Sequence, residues 1–271
     1  MQESSPEMHR LMAAWGVTPS GPPQLTPSSE LIAGVRQDLP VMLKIALVDE
    51  EVRGGALLDW WGGRGAATVL QREDRAILMV RATGPRDLAV MAATGRDAAA
   101  TEILVQAALA LHDHPAPAPH DGVDLVPLRD WFHDLLVADT ADPLLQRAAL
   151  LAERLLTTTA PAAVTVLHGD IHHGNVLDFG DRWAAIDPKG LIGHRAFDLA
   201  NILCNPTEAA ALDHLEERLG TISRLAALTP SVLREWTIAW CGLSLIWSRE
   251  DTGRNWHTRS ARAIAERLLI G

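Results

Sequence analysis

The chain has 271 residues, of which 48% are hydrophobic and 21% charged, and its formal net charge is −10. This length and composition are typical of a globular protein with one large domain or two lobes around a cleft. The acidic balance disfavours a nucleic-acid partner, because phosphates require a basic surface, and it suits a cationic substrate. We find neither a membrane-spanning stretch nor a signal-peptide pattern, so we expect a cytoplasmic protein with no membrane partner.

The first 80 residues predict a small, sheet-rich unit. The first thirty carry Pro and Gly clusters and are expected to form a loosely structured lead-in. Alternating apolar residues then predict strands at 30–36, 41–48, 66–70 and 76–80. Acidic residues, which suit the positive end of a helix dipole, open a helix at Asp49 that ends at Gly62. Within the second strand Met42 and Lys44 share a face, and Lys44 is either an exposed strand residue or a functional one.

Beyond residue 85 the apolar residues recur at helical spacing. Helices are predicted at 97–112, 128–138, 143–157, 208–219, 231–249 and 258–269. A short strand at 164–167 and a hairpin around Gly180-Asp181 interrupt them. We therefore expect an α+β fold with two lobes around a cleft. An N-terminal lobe at 1–80 and a mainly helical C-terminal lobe at 85–271 would be joined by a hinge at 81–84.

Residues 166–180, VLHGDIHHGNVLDFG, form a polar loop between apolar segments. Three interpretations are open: a zinc site of His168, His172 and His173, a polar loop that caps backbone atoms, or a catalytic loop built on its Asp and Asn. Zinc is disfavoured because no HExxH pattern is present and adjacent imidazoles diverge. Backbone capping accounts for one or two of these residues but not for the whole arrangement.

A catalytic loop for phosphoryl transfer accounts for more of the pattern. Enzymes of the protein-kinase type place a catalytic Asp five residues before a metal-binding Asn, and they add a second metal-binding Asp and a distant strand lysine. Asp170 and Asn175 have this spacing, and Asp187 follows the predicted hairpin. Lys44 lies on a strand of the small lobe, and Glu51 opens the next helix, where it is placed to pair with Lys44.

The motifs HGDIHHGNVLDFGD, AAIDPKGLIG and FDLANILCNP resemble those of the aminoglycoside phosphotransferases. LPVMLKIA, LLDWWGGRGAA and WTIAWCGLSLIW are similar to the streptomycin 6-phosphotransferase branch, the aminoglycoside/hydroxyurea resistance kinases. The similarity runs from about residue 30 to the C-terminus. It implies a two-lobe, protein-kinase-like fold and transfer of the ATP γ-phosphoryl group to a hydroxyl of a cationic aminoglycoside, with streptomycin and its 6-hydroxyl expected. We also expect a monomer.

The resemblance assigns roles to the residues of the loop and the small lobe. Asp170 matches the catalytic base, and Asn175 and Asp187 match the ligands of Mg²⁺. Lys44 matches the phosphate-binding lysine, with Glu51 as its partner.

The resemblance also implies where the adenine base would bind. The backbone at residues 79–82, including Met79, Val80 and Ala82, is expected to hold the base, and Met42 is expected to contact it. Because no G-x-G-x-x-G precedes Lys44, residues 33–35 are the only candidate for a loop that covers the phosphates.

The acceptor site is less well defined by the sequence. Carboxylates suit the guanidinium groups of streptomycin, and the candidates are Asp198, Glu235, Glu250 and Asp251. Asp198 has an equally good alternative role in bracing the catalytic loop. Lys189 follows the Asp-Pro pair, and His194 stands where the branch is expected to have an acidic residue. Both residues put the exact acceptor in question.

Other activities remain open at this stage. The first is a kinase for another small molecule, such as hydroxyurea, a sugar or a choline-like alcohol. The second is a nucleotide-binding pseudoenzyme that regulates a partner protein, and the third is a zinc hydrolase. The complete set of kinase residues disfavours the pseudoenzyme, because a missing member would have pointed to it.

Overall fold

The computed structural model describes residues 4–118, 121–250 and 256–270. The N-terminal lobe is built on an antiparallel sheet with the strand order β1-β3-β4-β6-β5, in which β2 also pairs with β3. Its strands are β1 (Thr18–Pro19), β2 (Gln24–Leu25), β3 (Ser29–Arg36), β4 (Leu39–Ala46), β5 (Val69–Glu73) and β6 (Ala76–Val80). The predicted strands of this lobe are confirmed, with shifts of one to three residues at most ends.

Strand β4 separates the core of this lobe from the cleft. Val41, Leu43 and Ile45 are buried in a cluster on one face of the sheet, whereas Met42 packs toward the main core on the other. Lys44 shares the face of Met42, because side chains alternate along a strand.

The expectation of a loosely structured lead-in is wrong for helix α1 (Pro6–Trp15). Ser5 caps its first turn by accepting a hydrogen bond from the Met8 backbone N–H, and Gly16 ends it in a left-handed conformation. Three apolar side chains of α1 lie at helical spacing and are buried against the sheet: Met8, Leu11 and Trp15. The Pro and Gly clusters follow this helix in the chain, so they gave no information about its conformation.

Residues 81–87 connect strand β6 to the C-terminal lobe and include the predicted hinge. The guanidinium of Arg86 binds both carboxylate oxygens of Asp178, at 2.7 and 2.6 Å, and the Gly84 N–H donates to the Asp178 carbonyl at 2.9 Å. The hydrogen bonds from Arg86 hold the pKa of Asp178 well below its usual range. These contacts fix the connection to the hairpin of the larger lobe.

Helices form most of the C-terminal lobe. They are α3 (Leu88–Ala93), α4 (Asp97–His112), α5 (Leu128–Trp131), α6 (His133–Val137), α7 (Pro143–Thr158), α8 (Ala196–Ile202), α9 (Glu208–Asp213), α10 (Leu215–Leu225), α11 (Pro230–Glu250) and α12 (Trp256–Ile270). The strands are β7 (Val126–Pro127), β8 (Val164–Leu167), β9 (Val176–Asp178), β10 (Trp183–Ala185) and β11 (Leu191–His194). In the part of the chain that the structure describes, no helix is long and apolar enough to cross a membrane.

The predicted hairpin is formed by β9 and β10, and the predicted strand at 164–167 is β8 in a sheet of order β7-β11-β8. Two predicted helices are each divided in two. The backbone leaves the helical conformation at Phe132, with ψ of 1°, and at His214, with ψ of 10°. Phe132 is fully buried between Phe197 and Trp236, so tertiary packing favours a break that apolar periodicity does not reveal.

Replacing Leu11 by alanine tests whether helix α1 belongs to the folded unit. Because Leu11 is fully buried, we expect Leu11→Ala to lower the free energy of unfolding by about 2–5 kcal/mol in urea titrations. The matched control is Ala14→Gln, an exposed position of the same helix, where a change of about 0.5 kcal/mol or less is expected. Equal effects of the two substitutions would show that α1 does not contribute to the core.

Candidate active site

Asp170 lies in the loop between β8 and β9, and amide groups orient its carboxylate. The Asn175 side-chain amide donates to Oδ2 at 3.1 Å and to the Asp170 carbonyl at 3.0 Å. The amide of Asn201, which follows on helix α8, donates to Oδ1 at 2.9 Å. Sequence analysis did not select Asn201, which is buried and receives a hydrogen bond from Asn205.

The surroundings of Asp170 favour its ionised form. Burial by itself would raise the pKa of Asp170, but His172 and the positive charge of Lys189 outweigh burial and lower this pKa to about 2. The Nε2 atom of His172 lies 3.7 Å from Oδ2. At neutral pH Asp170 can therefore accept a proton from a bound hydroxyl group.

His168 orients the loop through two hydrogen bonds. Its Nε2 donates to the carbonyl of Ile186 at 2.8 Å, and its Nδ1 accepts the backbone N–H of Asp170 at 3.1 Å. The side chain is fully buried, and burial lowers the pKa of His168, which keeps the ring neutral. His168 thus links the Asp170 loop to the turn that carries Asp187.

Asp198 braces this loop from behind. It is fully buried and accepts the backbone N–H groups of His168 at 2.9 Å and Gly169 at 2.7 Å, and His112 Nε2 lies 2.8 Å away. This enclosed position does not support the predicted role of Asp198 as a substrate ligand, and the alternative role in bracing agrees with the geometry.

Among the other acidic candidates, the structure describes the side chain of Glu235 only. Glu235 pairs with Arg154 of helix α7 at 2.7 Å, on the side where α11 packs against α7. Its predicted contact with substrate is therefore not supported by the geometry. Asp251 and the side chain of Glu250 lie outside the described residues.

Lys44 is a buried residue of the cleft and not an exposed strand residue, with 9% of its surface accessible. Its Nζ contacts one carboxylate oxygen of Glu51 and one of Asp187, so the sheet, helix α2 (Asp49–Trp61) and the C-terminal lobe meet at this ammonium. Although burial favours the neutral acid, the charge of Lys44 keeps the pKa of Asp187 below its ordinary value. Asp187 has a φ of +62°, a left-handed conformation that is strained for a residue other than glycine.

Two glycines allow these elements to approach one another. A Cβ on Gly54 of helix α2 would lie 2.2 Å from the carbonyl oxygen of Pro188. A Cβ on Gly169, where φ is +89°, would lie 2.9 Å from the Cβ of Lys189. No side chain fits at either position, so the Asp170 loop, the Asp187 turn and α2 can pack backbone against backbone.

A cavity of about 340 Å³, which we call the lysine cavity, opens beside Lys44. It is lined by Gln24, Thr26, Ser28, Ser29, Leu31, Lys44, Glu51, Leu58, Met79, Asn175, Ile186 and Asp187. Of the residues predicted to surround a base, Met79 lines this cavity, and Met42 pairs with it across β4 and β6 on the same face. Val80 and Ala82 follow at the end of β6 and in the connecting segment, and their predicted contact remains a prediction.

The loop at the edge of the lysine cavity is not the predicted one. Residues 33–35 lie in the middle of β3, where Gly34 pairs with β1 and β4, and a Cβ there would lie 2.6 Å from Val17. The turn between β2 and β3 lines the cavity instead. Within it the Thr26 hydroxyl donates to the Ser29 carbonyl at 3.0 Å and accepts the Ser29 N–H at 2.9 Å. The sequence TPSS before a strand was the available signal for this turn.

A second cavity of about 280 Å³, which we call the tryptophan cavity, lies in front of Asp170. It is lined by Glu50, Trp131, Gly169, Asp170, Lys189, Phe197, Trp240 and Trp247. Trp131 and Trp247 meet edge to face at 5.2 Å, and Trp247 Nε1 donates to Asp134 at 3.1 Å. Aromatic faces next to carboxylates attract organic cations. Sequence analysis missed these residues, although Trp240 and Trp247 recur at heptad spacing on helix α11.

The available donor atoms can be compared with the needs of the two metals considered. No group of three His, Cys, Asp or Glu side chains that could hold a metal ion occurs within residues 4–118, 121–250 and 256–270, so the zinc site is not supported. His173 is buried near Arg218 and Asp97. Asn175 and Asp187 supply hard oxygen atoms at the edge of the lysine cavity. This donor set fits Mg²⁺, which takes its other ligands from water and phosphate.

Residues 14–252 match the family model of the aminoglycoside/hydroxyurea antibiotic resistance kinases. The chain belongs to this family. It is 45% identical to streptomycin 3''-kinase of Klebsiella pneumoniae, over 82% of this chain and 85% of that protein. Hydroxyurea phosphotransferase of Kitasatospora aureofaciens is 30% identical over 94% and 76% of the two chains. Streptomycin 6-kinase of Streptomyces griseus is 29% identical over 83% and 76%.

Solved structures support the fold. Aminoglycoside phosphotransferase APH(4)-Ia, in a ternary complex with ADP and hygromycin B, gives a TM-score of 0.63 at 16% identity, over 97% of this chain and 98% of that chain. A choline/ethanolamine kinase family protein of Mesorhizobium loti gives 0.65 at 14% identity, over 97% and 94%. The predicted α+β fold with a sheet-rich and a helical lobe is confirmed.

Replacing Gly54 tests the contact between the lobes. Alanine favours a helix, but its Cβ would collide with Pro188 and displace helix α2 from the Asp187 turn. Because misplacement by about 1 Å can cost about 100-fold in rate, we expect Gly54→Ala to lower kcat by about that factor. The control is Gly220→Ala in helix α10, where the added Cβ meets no atom within 4 Å. We expect it to keep kcat and to gain about 1 kcal/mol of stability. Full activity of Gly54→Ala would disprove the need for this contact.

A separate substitution distinguishes bracing by Asp198 from contact with substrate. Asp198→Asn can no longer accept both loop N–H groups, so we expect a loss of about 1–3 kcal/mol of unfolding free energy and a lower kcat. The KM for the acceptor should stay within about twofold of its original value, because Asp198 does not reach the cavity. Glu235→Gln, which removes an exposed pair, is the matched control and should change neither constant. A rise in acceptor KM without a loss of stability would instead support substrate binding by Asp198.

Proposed function

We propose that this protein transfers the γ-phosphoryl group of MgATP to a hydroxyl group of streptomycin. The observation that carries the proposal is the position of Asp170, which is held ionised at the wall of the tryptophan cavity and is joined through Asn175 to the lysine cavity. One cavity thus offers groups for phosphates and a metal, and the other offers groups for a cation. Membership in a family of resistance kinases supports this division.

In the lysine cavity, Lys44 would contact the phosphates while Glu51 holds its ammonium in place. Asn175 and Asp187 would hold Mg²⁺, which neutralises phosphate charge when it is bound. Met79 and Met42 would face the base. ADP is present in the solved complex of APH(4)-Ia, which supports a nucleotide at the corresponding place in the fold.

Asp170 would orient the acceptor hydroxyl and take its proton as the new bond to phosphorus forms. Because phosphoryl transfer passes through a loose transition state, most of the rate enhancement comes from positioning and charge neutralisation. The hydrogen bonds from Asn175 and Asn201 set the orientation of this carboxylate before substrate binds.

Streptomycin suits the tryptophan cavity because its guanidinium groups remain charged at neutral pH. Planar cations stack on indole rings, and here Trp131, Trp240 and Trp247 line the cavity together with the carboxylate of Glu50. These residues replace Asp198 and Glu235 as the proposed acceptor contacts. The net charge of −10 would also concentrate a cationic antibiotic near the protein.

The position of phosphorylation is the least constrained part of the proposal. The motifs predicted the 6-hydroxyl, whereas the relative with 45% identity is a streptomycin 3''-kinase and the 6-kinase is 29% identical. We therefore propose the 3''-hydroxyl as the acceptor and keep the 6-hydroxyl as the alternative. Because ATP is made and used in the cytoplasm, we propose that the enzyme acts there, as a monomer.

The proposal is tested by incubating the purified protein with MgATP and streptomycin, kanamycin, hydroxyurea or choline and analysing the products by mass spectrometry and ³¹P NMR. We expect streptomycin to gain one phosphoryl group. The ³¹P–¹H coupling pattern of the product should then identify the hydroxyl that carries this group. Asp170→Ala should lower kcat by about 10²–10⁴-fold while the nucleotide Kd, measured by calorimetry, stays within about twofold. Undiminished turnover by this variant would remove Asp170 from its proposed role.

Hydroxyurea is the second candidate acceptor, because a hydroxyurea phosphotransferase matches 94% of this chain at 30% identity. The tryptophan cavity favours the larger cation over this small neutral molecule. Phosphorylation of hydroxyurea but not of streptomycin would reverse the order of the two candidates. Nucleotide binding without phosphorylation of any acceptor would favour a pseudoenzyme.

A further inference from the structure

Lysine is nearly absent from this protein. Among its 24 lysine and arginine residues, only Lys44 and Lys189 are lysines. Both lie in the cleft, one on the lysine cavity and the other on the tryptophan cavity. Arginine and lysine are not equivalent, because the ammonium is a compact point charge that fits where a planar guanidinium does not. Lys44 has a role in the proposed function, and Lys189 does not yet have one.

The backbone of Lys189 is packed against the Asp170 loop. Its N–H donates to the carbonyl of His168 at 2.7 Å, and its Cβ lies 2.9 Å from the place that a Cβ on Gly169 would occupy. The residue follows Asp187 by two positions. The backbone of Lys189 is therefore fixed beside both the proposed metal ligand and the proposed base, and its side chain lines the tryptophan cavity together with Asp170.

The Nζ of Lys189 pairs with Glu50 Oε1 of helix α2 at 3.0 Å, and the two side chains are 19% and 33% exposed. Lysine side chains ordinarily titrate at about pH 10.4, so Lys189 carries a positive charge at neutral pH. A partly exposed ion pair is weakly held, so a more highly charged partner can take the ammonium from Glu50.

We infer that Lys189 is a second catalytic cation. In this role its ammonium separates from Glu50 and binds the oxygens of the γ-phosphoryl group, and Glu50 then binds the cationic acceptor. This inference rests on the proposed function. In the step it serves, the acceptor oxygen bonds to the γ-phosphorus, and the bond from that phosphorus to the β–γ bridging oxygen breaks. The electron pair of the broken bond leaves with ADP, and the hydroxyl proton passes to Asp170. Lys189 stays protonated throughout and neutralises charge on the group in transit.

Because Lys189 exchanges Glu50 for the γ-phosphoryl group, binding of the acceptor would also activate phosphoryl transfer. Without a cationic acceptor, Glu50 competes with the γ-phosphoryl group for Lys189, so transfer of the phosphoryl group to water is assisted less. A guanidinium group that binds Glu50 releases the ammonium at the moment when a hydroxyl is in place. Loss of the Glu50 charge should therefore weaken acceptor binding and increase hydrolysis of ATP in the absence of acceptor.

Because the chain has only two lysines, NMR can observe the ammonium directly in the intact protein. Protein labelled with ¹³C at lysine Cε should give one signal for each lysine, and Lys189→Arg identifies them by removing one. We expect the Lys44 signal to move with both Mg-ADP and Mg-AMP-PNP, and the Lys189 signal to move with Mg-AMP-PNP only, because only this nucleotide has a γ-phosphoryl group. A Lys189 signal that is unmoved, or that responds equally to both nucleotides, would overturn the inference.

Kinetics provide the second measurement. We expect Lys189→Met to lower kcat with streptomycin by about 100-fold with little change in nucleotide Kd, and Lys189→Arg to restore part of the loss. Glu50→Gln should raise the KM for streptomycin and the rate of ATP hydrolysis without acceptor. The matched control is Arg72→Met, which removes the pair of Arg72 with Asp59 on the same helix α2, also at 3.0 Å and outside both cavities. Its constants should match those of the unmodified protein.

The two proposals fail in different ways. If the unmodified protein phosphorylates streptomycin and Lys189→Met keeps its kcat, the inference about Lys189 is wrong and the proposed function stands. If no acceptor is phosphorylated, the proposed function fails, and the NMR comparison of the two nucleotides still decides whether Lys189 contacts the γ-phosphoryl group. Should Lys189→Met fail to fold, the spectra of the unmodified protein carry the test.

Discussion

The contact of Lys44 with Glu51 and Asp187 is the interaction on which the site depends. It joins the N-terminal sheet, helix α2 and the turn that follows β10, three elements far apart in sequence. One ammonium contacts two carboxylates, one buried (Glu51) and one partly exposed (Asp187), so loss of Lys44 would leave two negative charges close together without a cation. The close approach of α2 to the turn through Gly54, and the left-handed conformation of Asp187, are the conditions that bring these charges together. A strained backbone persists at Asp187 because the surrounding contacts determine it.

A second set of contacts connects this arrangement to the loop that carries Asp170. His168 links the Asp170 loop to Ile186, and buried Asp198 accepts the N–H groups of the same loop. These contacts are made largely by backbone atoms and by side chains with no access to either cavity. They therefore hold Asp170 in place regardless of which acceptor binds. Such a division allows one family to retain a common phosphoryl-transfer site while the cavity in front of Asp170 changes.

How much could be predicted from sequence depended on how local each feature is. The five-residue spacing of Asp170 and Asn175, the hairpin before Asp187 and the alternation around Lys44 are all short-range patterns, and each prediction agrees with the structure. Helix α1 was missed because the Pro and Gly clusters that follow it dominated the reading of the first thirty residues. Sequence left Asp198 open between substrate binding and bracing of the loop, because its charge can be read from sequence whereas its burial behind the loop arises only from tertiary packing. Two of the tryptophans that line the tryptophan cavity share helix α11 at heptad spacing, but Trp131 comes from α5, and no local spacing relates it to the other two.

The tryptophan cavity explains why sequence similarity alone does not identify the hydroxyl that would be phosphorylated. In the proposed function the residues around Lys44 and Asp170 would serve any acceptor, so they are compatible with both the streptomycin 3''-kinase and the 6-kinase among the relatives. The hydroxyl that reaches Asp170 would be set by where the guanidinium groups rest among Trp131, Trp240, Trp247 and Glu50. A cation that rests on the tryptophans has few directional hydrogen bonds, so small changes in ring position can rotate the whole antibiotic. The choice of hydroxyl should therefore depend on the residues of the tryptophan cavity, whereas the rate of the chemical step should depend on the residues joined by Lys44.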